Sequence, residues 1–308
     1  MTHEVFSLLN YIGHKSKILD QILSHFPKTI DGIMYDLFSG SCVVGLSIDH
    51  KDVTFVDNNA HLQNLYSHLQ DDKFLSTLEA MIVKYNMTNS SKKSRSEYLK
   101  DPNIGTCVWH GKVVPNMHLD QLNIVGYSSL MLDYNAGNLK GISKACAYMI
   151  LTLYGRNSNV SVKKDGNLTG GIGPLDFSIR AKKKLKNHQE IMKNRNLHFV
   201  TGTYKDVEPI AEDFVYMDPP YLASGFKYCG WTEEDEKGLL AWIDDLPCQW
   251  ALSNVFISGN TKNKILFDWA QSKNVIYIKK KYRKWSTKGK STAKKQNKKN
   301  EEVLILPK

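Results

Sequence analysis

Met34-Tyr35-Asp36-Leu37-Phe38-Ser39-Gly40-Ser41 is a short apolar run that meets a glycine turn, and an apolar stretch continues from there to Ile48. The pattern predicts a strand, a tight turn and a helix. Glycine at such a junction lets a ligand approach the backbone, and ligands of open α/β sheets bind at the carboxyl ends of strands. Seventeen residues beyond Gly40 stands Asp57, at the end of a second predicted strand, Val53 to Val56. An acid so placed can accept hydrogen bonds from both hydroxyls of a ribose. A structural turn followed by a strand-end aspartate would look the same. Cys42 stands where dinucleotide-binding loops have a further glycine, so the loop suits a cofactor without phosphates.

Outward from this junction, Ala60 to Tyr85 carries apolar residues at helical spacing and predicts two helices, and Thr88 to Ser96 reads as a loop. Pro102 to Tyr127 reads as mixed strand-like pieces, and Ile142 to Leu153 as a helix. After a turn-rich stretch from Gly155 to Gly173, strands are predicted at Leu197 to Val200 and at Phe214 to Met217. Glu233 to Ile243 reads as a helix capped by Thr232. Trp250 to Leu252 reads as a strand ending at Ser253-Asn254, Lys262 to Gln271 as a helix, and Val275 to Tyr282 with Glu302 to Leu306 as a long-tipped hairpin. Strands and helices alternate at both ends around a less regular middle, which predicts a mostly parallel α/β sheet with a domain inserted into it.

The 308 residues carry a net charge of +10. Eleven Lys or Arg and no acid lie between Lys279 and Lys299, interleaved with Tyr282 and Trp285. Without that run the chain would sit at about −1. Concentrated basicity suits a phosphate-contacting element, and it equally suits a solvated tip. No apolar run approaches the ~20 residues of a membrane span, and the start of the chain lacks a secretory pattern. The five cysteines are scattered and never spaced C-x-x-C, which predicts reduced thiols in a cytoplasmic protein. The ten histidines show no ligand spacing, so no metal is expected.

Asp218-Pro219-Pro220-Tyr221, directly after a predicted buried strand, is the specific signal. Two prolines fix an extended backbone without N–H donors, so the neighbouring carbonyl and carboxylate face a ligand. The exocyclic amine of a nucleobase is a poor nucleophile because its lone pair is delocalised into the ring. Accepting hydrogen bonds from both of its protons, one at Asp218 and one at the Pro219 carbonyl, favours a more tetrahedral nitrogen that can attack a sulfonium methyl. Tyr221 offers a face on which an extruded base can stack. A cytosine-C5 reaction needs a nucleophilic cysteine beside a proline in the catalytic motif, and this motif holds none.

In motif order, most of the chain resembles the Dam-type adenine-N6 DNA methyltransferases, especially compact phage members. Tyr11-Ile12-Gly13-His14-Lys15 resembles the family's N-terminal element, in which the aromatic and the lysine help hold the methionine part of the cofactor. Asp36, Phe38, Ser39, Gly40 and Ser41 match the cofactor loop, Asp57 with Asn58 the ribose-binding strand end, and Thr203-Tyr204 the segment lining the cofactor's adenine pocket. Asp218 to Tyr221 match the catalytic motif, and Leu252 to Val255 the strand end beside it. Gly155-Arg156-Asn157 through Asn167, with Lys163 and Lys164, resembles the hairpin that enters DNA. Tyr228, Lys288, Lys290, Lys294 and Lys295 are further candidates for DNA contact. The family's Pro-aromatic-Gly after the hairpin is here Gly171-Ile172-Gly173, and the basic residue beyond it is missing, so a GATC target does not carry over.

The resemblance implies a Rossmann-like methyltransferase fold, with residues 1–60 and 195–308 forming an S-adenosylmethionine-binding catalytic domain and an inserted, mostly helical target-recognition domain at 61–194. It implies methyl transfer from S-adenosylmethionine to N6 of a flipped-out adenine in double-stranded DNA, with a separate restriction endonuclease as a candidate partner. The alternatives are a cytosine-N4 methyltransferase, which faces the same amine chemistry, and a catalytically inactive DNA-binding homologue.

Overall fold

Phe214-Val215-Tyr216-Met217 is buried along its whole length, as a strand in the middle of a sheet covered on both faces must be. The computed structural model describes residues 5–9, 13–98, 100, 106–109, 112–115, 119–224, 230–279 and 300–308. Its first strands are β1 (Met34–Leu37), β2 (Asp52–Asp57), β3 (Thr106–Trp109), β4 (Lys112–Pro115), β5 (Ser161–Val162) and β6 (Leu168–Thr169). They are followed by β7 (Asn196–Thr201), β8 (Phe214–Met217), β9 (Gln249–Ser258), β10 (Thr261–Lys262), β11 (Asn274–Tyr277) and β12 (Asn300–Leu306). The helices are α1 (Leu19–Leu23), α2 (Val43–Ser47), α3 (Ala60–His68), α4 (Phe74–Lys84) and α5 (Arg95–Tyr98). The remaining five are α6 (Asp120–Asn135), α7 (Gly141–Tyr154), α8 (Ile179–Met192), α9 (Glu233–Asp244) and α10 (Lys264–Trp269).

The large sheet has the order β11-β12-β9-β8-β1-β2-β7, with β10 added to β9. Its centre is parallel: β1 lies between β2 and β8, and β8 runs alongside β9. β12 and β11 close one side in antiparallel fashion. The expected Rossmann-like sheet flanked by helices is therefore present as a mixed sheet with a parallel core. Successive residues of β8 serve opposite faces. Val215 and Met217 join Leu37, Leu252, Val303 and Ile305 in one core, while Phe214 and Tyr216 pack on Phe26 at ring distances of 4.7 and 5.5 Å. Each such side chain contributes roughly 1.5–3 kcal/mol through its burial.

The chain divides into two compact units, one of Lys15–Asn58 and Val200–Lys308, the other of His3–His14 and Asn59–Phe199; it passes between them after His14, after Asn58 and within β7. The second unit is built around α7, whose residues from Ala145 to Thr152 are all buried. A helix apolar all round must be covered on all sides, and α3, α4 and α6 pack on it. Asn59 caps α3, its side chain accepting from the His61 and Leu62 amides at 3.1 and 3.3 Å.

Several expectations need correction. The span read as strand-like up to Tyr127 holds the β3–β4 hairpin and then the start of α6. The helix escapes a periodicity reading because Ile124, Val125 and Leu132 are exposed while Asn123, Gly126, Leu130 and Tyr134 are buried. Gly126 allows a close approach: a Cβ there would lie 2.0 Å from the Tyr85 carbonyl oxygen. α8 was not expected either; its lysine-rich sequence hides a thin buried stripe of Leu185, His188 and Met192. Ser253-Asn254 does not end a strand, since β9 runs on to Ser258 and pairs Asn254 with Val303 of β12. The predicted hairpin of the last two strands is formed by β11 and β12, with Val275 opposite Ile305.

Candidate active site

β1, β2 and β8 end level with one another, because Leu37 is in register with both Val56 and Met217. Asp57 and Asp218 follow those partners directly, so both carboxylates and the turn after β1 share one edge of the sheet. Succession along the sheet reverses here, since β2 lies on one side of β1 and β8 on the other. Such a switch point is where open α/β sheets hold their ligands.

The turn itself is held in an unusual backbone. Phe38 and Cys42 have φ of 59° and 54°, and Gly40 between them 44°. A non-glycine residue in this region costs about 1–3 kcal/mol and persists only where its surroundings enforce it. Here the Gly40 amide donates to Asp57 Oδ2 at 2.9 Å, Ser39 donates its amide to the Val56 carbonyl at 3.0 Å, and Cys42 to Ser39 at 2.7 Å. Ser39, Ser41 and Asp57 are buried, and Asn58 is exposed. Phe38 meets the edge of Trp231 at 5.6 Å and lies 6.2 Å from Tyr204. Thr203 spends its side chain on a capping box with Asp206 at the start of the turn that presents Tyr204.

Asp36 points to the opposite face from Leu37 and is 2% exposed, its Oδ2 accepting from the Gly45 amide at 2.9 Å. Burial pushes its carboxyl up to about 8; Asp218 and Asp57 add to the rise, and the Gly45 amide and Lys15 oppose it. A carboxyl raised in the folded state binds its proton more tightly there than in the unfolded chain. Its contribution is therefore fully present below the unfolded value near 3.8 and is lost as pH rises toward about 8. Asp36→Asn should flatten the decline in thermal stability between pH 5 and 8, by at most ~1.4 kcal/mol per pH unit. Equal pH profiles for wild type and variant would contradict this electrostatic picture.

Asp218 accepts from two residues of the chain itself. Lys15, 5% exposed in a short turn before α1, forms an ion pair with Oδ2. The Tyr221 hydroxyl donates to Oδ1 at 2.7 Å, and the Lys15 ammonium lies 5.2 Å from the centre of the Tyr221 ring. Burial raises the Tyr221 hydroxyl well above the phenol range, as do the Asp218 and Glu302 carboxylates, so it serves as a neutral donor. Pro219 is buried behind the carboxylate and Pro220 half-buried. Sequence reasoning brought Lys15 and Tyr221 to this end of the sheet without anticipating their shared hold on Asp218.

A further buried carboxylate supports the aromatic side of the site. Glu236 in α9 is fully buried and accepts from Trp231 Nε1 and Asn263 Nδ2, both at 2.7 Å, and from Asn254 Nδ2 at 3.3 Å. Trp231 in turn carries Phe38. Glu236→Gln keeps the shape but turns one acceptor oxygen into a donor facing donors. It should cost about 1–2 kcal/mol, read as a lower midpoint in urea; an unchanged midpoint would show the network to be dispensable.

In the second unit the β5–β6 hairpin pairs Ser161 with Thr169 and Val162 with Leu168. Asn135 binds its edge, donating to the Leu168 carbonyl at 2.9 Å and accepting from the Leu168 amide at 2.8 Å. Lys163 and Lys164 are exposed at the tip, and Arg156 and Asn157 are exposed at the base. Asn167 is committed to the turn through Asp165, with its amide 3.0 Å and its Nδ2 3.1 Å from the carboxylate. The Gly171-Ile172-Gly173 segment pairs back on Gly155, and a Cβ on Gly173 would lie 2.6 Å from the Gly155 carbonyl oxygen. Tyr11, Tyr228, Lys288, Lys290, Lys294 and Lys295 lie outside the described residues.

Pro247-Cys248 is a proline–cysteine pair, but it precedes β9 at the amino ends of the strands, since Gln249 is in register with Phe214. Burial, with Asp213 nearby, pushes the Cys248 thiol up to about 11, so it is neither placed nor ionised as a nucleophile for this site. Among the described residues no group of three His, Cys, Asp or Glu could hold a metal, and no helix is long and apolar enough to cross a membrane.

A family model for D12 class N6 adenine-specific DNA methyltransferases matches residues 11–284. The chain is 27% identical over 317 residues to modification methylase StsI of Streptococcus sanguinis, covering 97% of this chain and 42% of that protein. It is 26% identical over 294 residues to type II methyltransferase M.FokI of Planomicrobium okeanokoites, covering 90% of this chain and 40% of that protein. It thus spans about two-fifths of the length of these curated relatives.

Proposed function

The chain belongs to the D12 class of N6 adenine-specific DNA methyltransferases, and on that premise we propose that it transfers a methyl group from S-adenosylmethionine to N6 of adenine in double-stranded DNA. The observation that carries the reading is the Asp218 carboxylate at the switch point, held between Lys15 and the Tyr221 hydroxyl. Each carboxylate oxygen has two lone pairs, so Asp218 can accept from an amine while keeping both of its present donors. The Pro219 carbonyl would accept a hydrogen bond from the second amine proton. Hydrogen bonds to both protons favour a tetrahedral nitrogen whose lone pair is drawn out of the ring. That pair would form the new N–C bond as the methyl–sulfur bond breaks with its electrons on sulfur. The nitrogen would then lose one proton by way of the Asp218 carboxylate. Tyr221, with its ring fixed by its own hydroxyl, offers a face for the adenine.

The chemistry of the site supports S-adenosylmethionine as the cofactor. Asp36, Asp57 and Asp218 crowd one edge with Lys15 as their nearby cation, and this crowding contributes to the raised carboxyl of Asp36. Such a set favours a ligand rich in hydroxyl donors and positive charge, and disfavours phosphates. S-adenosylmethionine supplies a methyl group on a positively charged sulfur. Asp57 with Asn58 would accept from the ribose hydroxyls, and Asp36, Phe38, Ser39, Gly40 and Ser41 would line the approach. Tyr11 and Lys15 would flank the methionine part, and Thr203 and Tyr204 the adenine.

In this reading residues 1–60 and 195–308 carry catalysis and 61–194 recognise the DNA; the unit boundaries after Asn58 and after Phe199 support the division, while His3–His14 group with the second unit. Arg156, Asn157, Lys163, Lys164 and Asn167 of the hairpin would contact the duplex. A separate restriction endonuclease fits the same reading, because one relative is named a modification methylase and another a type II methyltransferase. Incubation with S-adenosylmethionine labelled in its methyl group should transfer label to unmethylated duplex DNA and not to RNA. Label in RNA alone, or in neither, would overturn the proposal.

A further inference from the structure

One face of α8 presents residues 180, 183, 184, 187, 188 and 191, the spacing of a continuous helical stripe. With Phe6 they line a cleft of about 530 Å³. Its polar lining among the described residues consists of Arg180, Lys183, Lys184, Asn187 and His188, none of them an acid. Lys184 Nζ donates to the Ser7 carbonyl at 2.8 Å. Other lysines behave differently: Lys182, on another face of the same helix, is neutralised by Glu79 at 2.7 Å.

The floor of the cleft holds an unsatisfied group. His188 is 1% exposed, and its Nδ1 lies 2.9 Å from the Lys184 carbonyl oxygen, so Nδ1 carries the donated proton. Nε2 is buried without a hydrogen-bond partner among the described residues. A buried polar atom of this kind is destabilising, and a ligand in the cleft would remove that cost.

We propose that this α8 cleft binds a phosphate of the DNA backbone, with Arg180 and Lys183 as its main contacts, Asn187 as a further donor and His188 beneath them. The proposal rests on the reading of the chain as a DNA methyltransferase and adds a contact outside the hairpin and the basic run. A phosphate diester has no proton to offer the Nε2 lone pair, so His188 must take one from solvent and donate as imidazolium. Without an anion, burial, with a smaller push from the Lys184 ammonium, holds the imidazole down to about 4 against the hydrogen bond to the Lys184 carbonyl, and burial and then Arg180 lower the Lys184 ammonium. An anion between them reverses both effects. Arg180 and Lys183 are exposed, free to reach a phosphate and replaceable without disturbing the core.

The test measures duplex affinity of the full chain across a salt series, for wild type, Arg180→Gln/Lys183→Gln and Lys186→Gln. Lys186 is an exposed lysine of the same helix that does not line the cleft. One lost phosphate contact should flatten the slope of log affinity against log salt by about 0.9, equally for any duplex sequence. The double variant should show that change, and Lys186→Gln should not. An unchanged slope in the double variant, or an equal change in both variants, overturns the proposal. Inorganic phosphate separates the two sources of the same chemistry: if it raises the wild-type melting temperature but the double variant binds duplex normally, the cleft serves a free anion and the DNA assignment falls. Wild-type methyl transfer, measured alongside, shows independently whether the underlying enzymatic reading holds.

Discussion

Asp218→Ala is expected to lower methyl transfer at least tenfold while leaving the protein folded. A hydrogen bond to a charged acceptor contributes roughly 1.5–3 kcal/mol, which is a tenfold to more than hundredfold effect on rate when it is made in the transition state. The variant also removes the carboxylate that pairs with Lys15, whose side chain is 6% exposed. Losing one member of a largely buried ion pair is destabilising, so the alanine variant should also melt earlier. Asp218→Asn separates the two effects. It keeps an oxygen for Lys15 or Tyr221 and most of the stability, yet it lacks the charge and one acceptor, so turnover should still fall. Circular dichroism with initial rates on both variants decides the matter, and near-normal turnover in either would remove Asp218 from the chemistry.

Asp57→Ala is expected to weaken S-adenosylmethionine binding by tenfold or more and to affect DNA binding far less. Two bonds from ribose hydroxyls to a charged acceptor would be lost. The Gly40 amide would lose the acceptor that now holds it at 2.9 Å, loosening a turn in which Phe38 and Cys42 already occupy left-handed backbone. Titration calorimetry of the cofactor into wild type and variant measures the difference. Equal affinities would make Asp57 a purely structural pin for the loop.

The parts of the fold that could be read in advance are those whose physics is local. The Met34–Ser41 junction, the acid ending β2, and the strand running into Asp218 each announce themselves by composition and neighbours. So does the Thr232 cap of α9, where the side chain accepts from the Asp235 amide as its position suggests. What stayed hidden depends on distant or surface chemistry. The Lys15–Asp218 pair joins residues 203 positions apart, and no spacing rule connects them. α6 exposes Ile124, Val125 and Leu132 and buries an asparagine and a glycine beside Tyr127, Leu130 and Tyr134, which blurs the usual pattern. α8 looks like a charged, solvated stretch until Leu185, His188 and Met192 are seen to turn inward. Pro247-Cys248 shows the reverse: a suggestive dipeptide loses its meaning once it is found at the amino end of β9.

The central claim is that the amine methylated is N6 of adenine. Duplex DNA free of methylation should be incubated with the protein and S-adenosylmethionine labelled in its methyl group, digested to nucleosides and separated by chromatography. Label is expected in N6-methyldeoxyadenosine and in no other nucleoside, and at least tenfold less of it with Asp218→Ala. Label in N4-methyldeoxycytidine, or DNA binding by the wild type with no label in any nucleoside, would contradict it.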